Sequence, residues 1–113
     1  MTFVYAVNRR GRTVSVIAAG EMDVAAAGPF GTMLCGLAEA EPTDRVEIDL
    51  GALRFLDSSG VAALNRAYRA THRRGAVLVV TRATGVVRRV LELTGALAHL
   101  APRVETGTDR PSA

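Results

Sequence analysis

Apolar and polar residues change their spacing several times along the chain, and each change marks an element. In FVYAV, Phe3, Tyr5 and Val7 fall on one face at a two-residue period, as a half-buried strand requires. The polar, glycine-bearing stretch NRRGR follows. TVSVIAA then returns with Val14 and Val16 alternating, so residues 3–19 read as a hairpin ended by Gly20. Between 25 and 40 the period lengthens, and Phe30, Met33, Leu34, Leu37 and Ala38 form the stripe of an amphipathic helix. Pro29 is expected in its first turn, with Gly28 near the cap or residues 24–28 forming one looser turn. RVEIDL alternates strictly, with Val46, Ile48 and Leu50 inward and Arg45, Glu47 and Asp49 outward.

A short connection leads to DSSG and a second helix over about 58–74, whose stripe is Val61, Leu64, Tyr68 and Thr71. Arg66, Arg69, Arg73 and Arg74 lie off that stripe, and Gly75 suits the residue after the helix end. AVLVV, residues 76–80, is a continuous apolar run, as expected of a strand covered on both faces or central in a sheet. TGVVRRVLELTG, residues 84–95, predicts a third helix on Val86, Val87, Val90 and Leu91. AHLAPRV, residues 98–104, reads as a last short strand, and residues 105–113 have the composition of a poorly ordered tail. The order ββαβαβα predicts one α/β domain over 1–104. Its sheet is expected to be mixed and four- to five-stranded, with the N-terminal hairpin at one side and helices as crossovers.

The composition narrows the function classes. With 113 residues, 49% apolar and 22% charged, the chain can bury a core without covalent staples. No apolar run approaches the roughly 20 residues a membrane span needs, and MTFVYAVNRR has no basic segment leading into an apolar one, so no secretory signal and no membrane insertion are expected. The single Cys35 has no disulfide partner and no metal-ligand spacing around it; it reads as a small core residue. These features predict a cytoplasmic protein without metal or cofactor. The net charge of +3 rests entirely on arginine, and aromatics make up 4%, so the basic stripe with stacking platforms that nucleic-acid binding needs is not foreseen. The arginines of the helices, Arg66, Arg69, Arg73, Arg88 and Arg89, read either as solvated faces or as a surface for an acidic partner.

The densest chemistry is FLDSSGV, residues 55–61, where a carboxylate and two hydroxyls meet a helix start. Asp57 is a natural N-cap for the free N–H groups of the first turn, and capping alone accounts for the residue types. A catalytic serine would need a base, and His72 lies about 20 Å along the same helix. Leu56 stands where a hydrolase elbow needs glycine. No catalytic residue is therefore assigned, and both His72 and His99 read as surface or boundary residues.

GEMD (20–23), RVEIDLGALRFLDSSGV (45–61) and RRVLELTG (88–95) together resemble STAS domains of the anti-sigma factor antagonist type, over about residues 3–104. The resemblance implies that Ser58, directly after Asp57, is the serine phosphorylated by a partner kinase, with Ser59 as the alternative. It also implies that Asp23, Asp57, Ser58, Ser59 and Gly60 form the partner-binding region, with Asp23 in a loop beside the phosphorylation site. The implied partner is an anti-sigma factor with a GHKL-type serine kinase fold, bound by the unphosphorylated antagonist so that a sigma factor is freed. A phosphatase would reverse the mark. The segment VAAAGPFG carries no charge where relatives are expected to contact the partner. STAS-like domains also serve as accessory subunits of lipid-trafficking ABC transporters, docked on an ATPase, which is the rival expectation.

Overall fold

The computed structural model describes residues 2–40 and 42–102. A four-stranded sheet runs in the order β1 (Phe3–Arg10), β2 (Thr13–Met22), β3 (Arg45–Leu56), β4 (Val77–Thr81). β1 and β2 are antiparallel, and β2, β3 and β4 are parallel. Helices α1 (Val24–Glu39) and α2 (Ser58–Arg73) are the crossovers between the parallel strands, followed by α3 (Gly85–Leu93) and α4 (Leu97–Leu100). The mixed α/β sheet and its opening hairpin agree with the pattern in the sequence.

The core lies between the sheet and the helices. Val14, Val16 and Ala18 of β2 and Val46, Ile48 and Leu50 of β3 are wholly buried, and Phe30, Leu34 and Leu64 from α1 and α2 close over them. The opposite face of the sheet is open. Val4, Ile17 and Val77 are about half exposed there, among the ion pairs Arg45–Glu47 and Arg82–Asp49. α3 buries Val87 and Leu91 and packs on β3.

Several boundaries differ from the sequence expectation, each for a local reason. The hairpin link is only Gly11 and Arg12, because Asn8, Arg9 and Arg10 pair with Ser15, Val14 and Thr13. Gly11 takes φ 63, as a two-residue turn with glycine first requires. Arg9 is held in its strand by donating to the Pro42 carbonyl at 2.9 Å and to Thr43 Oγ1 at 2.9 Å, contacts no local pattern announces. β2 runs through Gly20 to Met22, whose side chain is fully buried.

α1 starts at Val24, so Pro29 stands inside the helix and Gly28 is not its cap. Pro29 removes the bond to the Ala25 carbonyl and crowds that group, but both residues lie on the exposed side, where water can satisfy it. β3 continues to Leu56 without a separate connection; its register against β2 shifts beside Gly20. β4 is an edge strand covered on one face, with Val77 and Thr81 exposed, rather than a central or doubly covered strand. Val86 of α3 points outward. Residues 97–100 are helical, not a fifth strand: Leu100 N–H and Ala101 N–H bond to Ala96 O and Leu97 O, and Leu100 is buried. The rest of the expected strand, residues 103–104, and the tail 105–113 lie outside the described residues.

Candidate functional site

Met22 and Leu56 are register partners at the ends of the parallel strands β2 and β3. The residues that follow them, Asp23 and Asp57, therefore leave the sheet side by side. Both have extended backbones, and each caps the helix that begins after it. Asp23 Oδ1 accepts from the Ala26 N–H at 3.0 Å. Asp57 Oδ1 accepts from the Ser59 N–H at 2.9 Å and from the Gly60 N–H at 3.3 Å. Asp23 is thus the single link residue between β2 and α1, and it caps the helix that follows.

The two serines are not equivalent. Ser59 is half-buried, and its N–H donates to the Asp57 carboxylate. The neighbouring Ser59 hydroxyl is the main reason the Asp57 carboxyl lies below the usual carboxylate range; partial desolvation opposes it, and the Gly60 and Ser59 N–H groups reinforce it. Ser58, in contrast, is exposed on the first residue of α2. Gly60 is buried because the first turn sits directly on Leu56: a Cβ there would lie 3.0 Å from Leu56 Cδ1. A larger residue would lift Ser58 and Ser59 away from the sheet.

Beside Asp23 is a depression of about 350 Å³ lined by Phe3, Tyr5, Glu21, Pro29 and Phe30. Phe30 meets Phe3 and Tyr5 edge-on, with centroids 5.1 and 5.5 Å apart. Glu21 accepts from the Thr2 N–H at 3.0 Å and pairs with Arg54. The Arg54 bond, then the Thr2 bond, hold the Glu21 carboxyl below its usual range. Sequence reading missed Phe3, Tyr5, Glu21 and Arg54 as neighbours of the site. The only signal for them was Glu21 in GEMD; the rest depends on hairpin register.

The histidines stand apart from Ser58. His99 Nε2 lies 2.6 Å from Asn65 Oδ1, and its ring packs on Tyr68 at 4.9 Å. Asn65 is two helical turns, about 10 Å, from Ser58. His72 stacks on the other side of Tyr68 at 5.9 Å. Neither ring is arranged to take a proton from the Ser58 hydroxyl. Among the described residues no group of three His, Cys, Asp or Glu side chains could hold a metal ion, and no helix is long and apolar enough to cross a membrane. Cys35 is half-buried against the core.

The family described as "Mlab, STAS domain" matches residues 5–101. No curated protein matches the sequence. Among solved structures, the Bacillus anti-sigma factor antagonist SpoIIAA in its unphosphorylated form is 18% identical, covering 97% of this chain and 88% of that one, with a TM-score of 0.77. An anti-sigma factor antagonist from Mycobacterium paratuberculosis is 25% identical over 93% of this chain and 87% of its own, with a TM-score of 0.73. A sulfate transporter family protein from Wolinella succinogenes shares the fold at 14% identity, over 85% of this chain and 81% of its own, with a TM-score of 0.67. With a match running from the first strand to the last described helix, and a fold held in common with these proteins, the chain belongs to the STAS domain family.

Proposed function

We propose that this protein is an anti-sigma factor antagonist switched by phosphorylation of Ser58. Its unphosphorylated form binds an anti-sigma factor with a GHKL-type serine kinase fold in the cytoplasm, and a phosphatase restores it after modification. The observation that carries the reading is the division of labour in DSSG: Ser59 is half-buried and tied to Asp57 through its N–H, while Ser58 is exposed at the helix start beside the Asp23 turn. The similarity to two antagonist structures supports the partner class.

A phosphate on Ser58 adds about −1.5 to −2 charges and three acceptor oxygens. At a helix N-terminus an anion is favoured by about 0.3–1 kcal/mol, so the fold would tolerate it. The consequence falls on the docking surface, where added bulk and repulsion next to Asp57 and Asp23 oppose binding. A loss of about 2–4 kcal/mol weakens affinity roughly 30- to 1000-fold, enough for a switch without refolding.

The test starts by capturing partners from ATP-depleted lysate with the unmodified chain and identifying what is retained. Ser58→Ala is expected to bind the retained kinase and resist phosphorylation. Ser58→Glu is expected to melt within a few degrees of wild type while binding at least about 30-fold more weakly. Phosphate mapped to Ser59 alone, or equal binding by modified and unmodified protein, would overturn the reading.

A second reading, an accessory subunit docked on the ATPase of a lipid-trafficking transporter, draws support from the Mlab description of the matching family. Under it the same capture retains transporter components, and Ser58→Glu has no kinase to escape.

A further inference from the structure

Between Ser58 and Leu91 the sequence contains seven arginines and no acidic residue. α2 occupies the first part of that stretch. On its exposed side Ser58, Ala62, Arg66, Arg69 and Arg73 follow steps of four, four, three and four. At 100° per residue they fall within an arc of about 80°, and at 1.5 Å per residue they form a ridge about 22 Å long. The candidate phosphorylation site is therefore one end of a guanidinium ridge.

The arginines on this ridge differ from five others among the described residues. Arg12, Arg45, Arg54, Arg82 and Arg88 each meet a carboxylate. Arg69 and Arg73 are exposed and make no ion pair among the described residues. Arg66 reaches across to α1 and donates to the Gly28 carbonyl at 3.2 Å, which fixes its guanidinium at the margin of the ridge without neutralising it. α1 carries no acid in its first turn to answer these charges.

We infer that the exposed ridge of α2 docks an acidic surface of the partner protein, with Arg69 and Arg73 as its principal contacts. The inference rests on the antagonist reading for the identity of that partner and adds the chemistry of its binding face. Charge complementarity selects the occupant: two unpaired guanidiniums, placed in line with the switch residue, fit carboxylates spaced along a helix or strand. The arrangement also accounts for the force of the switch. An acidic face drawn to Arg69 and Arg73 would meet a phosphate at the Ser58 end, so modification sets repulsion against the attraction that aligns the partner. Nucleic acid and anionic lipid would also be drawn to arginine, but the ridge has no exposed aromatic on it and no continuous apolar strip to enter a bilayer.

The experiment uses the full chain and the kinase-fold protein retained by the capture described above. Arg69→Glu/Arg73→Glu is expected to melt within a few degrees of wild type, since both side chains are exposed, and to bind that protein at least about 10-fold more weakly. Arg69→Ala/Arg73→Ala should fall between the two, with a flatter dependence of affinity on salt than wild type. The Ser58 phosphate should still be added to the alanine variant when kinase is in excess. Equal affinity and equal salt dependence of wild type and Arg69→Glu/Arg73→Glu would overturn the ridge alone, leaving the antagonist reading in place. Failure of the wild type to retain any kinase-fold protein would remove both. Duplex DNA and phosphatidylglycerol vesicles serve as competing probes; tighter binding to either than to the retained protein, lost in the same variant, would overturn the assignment of a protein partner.

Discussion

Asp57 accepts from the Ser59 and Gly60 N–H groups, and these bonds join the local fold to the chemistry of the proposed switch. Because folding lowers its pKa, the stability it supplies is complete above the unfolded value of about 3.9 and fades as the pH falls through the lower folded value. Asp57→Asn keeps a capping side chain but cannot titrate. It should match the wild type within about 1 kcal/mol at neutral pH and lose stability less steeply below about pH 4, measured by denaturant unfolding across pH. Ser59→Ala removes the neighbouring hydroxyl. It should raise the Asp57 pKa toward its usual value, seen by NMR titration of the carboxyl, and destabilise by about 1 kcal/mol. Ser58→Ala, at an exposed position, should leave stability unchanged within about 0.5 kcal/mol. If the two alanine variants behaved alike, the distinction between the serines would fail.

At the level of elements, the contact of α1 with α2 depends on Gly31, which is buried. A Cβ at that position would lie 3.0 Å from Ala63 Cβ and would also run into the Arg66 guanidinium. Gly31→Leu gains about 0.8–1 kcal/mol of helix propensity but must push the helices apart, at about 1–3 kcal/mol. The net expectation is a lower melting temperature and loss of the Arg66 contact with Gly28; a rise in melting temperature would contradict the packing described. The helix periods and strand alternations were legible because each stripe repeats within its own segment. Pro29 misled the placement of the α1 start, since a proline past the first turn loses a ladder bond and crowds the carbonyl four residues before it, a cost this helix carries. On the exposed side of α1 water can satisfy the freed carbonyl, which lessens the cost without removing the crowding. β4 also misled: its unbroken apolar run was read as doubly covered or central, yet β4 is an edge strand whose Val77 and Val79 face the open side of the sheet while Leu78 and Val80 enter the core.

The whole molecule divides its surfaces by charge and coverage. The open sheet face carries paired acids and arginines among scattered apolar residues, and the exposed ridge of α2 carries arginines alone. Inner strands β2 and β3 are hydrogen-bonded on both sides, and β1 and β4 on one. Amide exchange should therefore be slowest across Val14–Ala18 and Val46–Leu50, and faster at the outward amides of β1 and β4 and in the four-residue α4. Protection of β4 equal to that of β3 would mean that a further strand covers its edge and that the described sheet is not the whole one in solution.

By itself the sequence determined the class of the fold and the place of the proposed switch motif, because periodicity, helix caps and turn residues act over a few positions and leave their marks locally. It also brought Asp57, Ser58, Ser59 and Gly60 together, being contiguous. Only tertiary structure set Asp23 beside them, through the pairing of Met22 with Leu56, thirty-four positions apart. It alone turned β4 into an edge and left uncovered the helix face that carries Ser58, Arg69 and Arg73. Those relations depend on which faces are buried, and burial is decided by the chain's long-range packing rather than by any short stretch of residues.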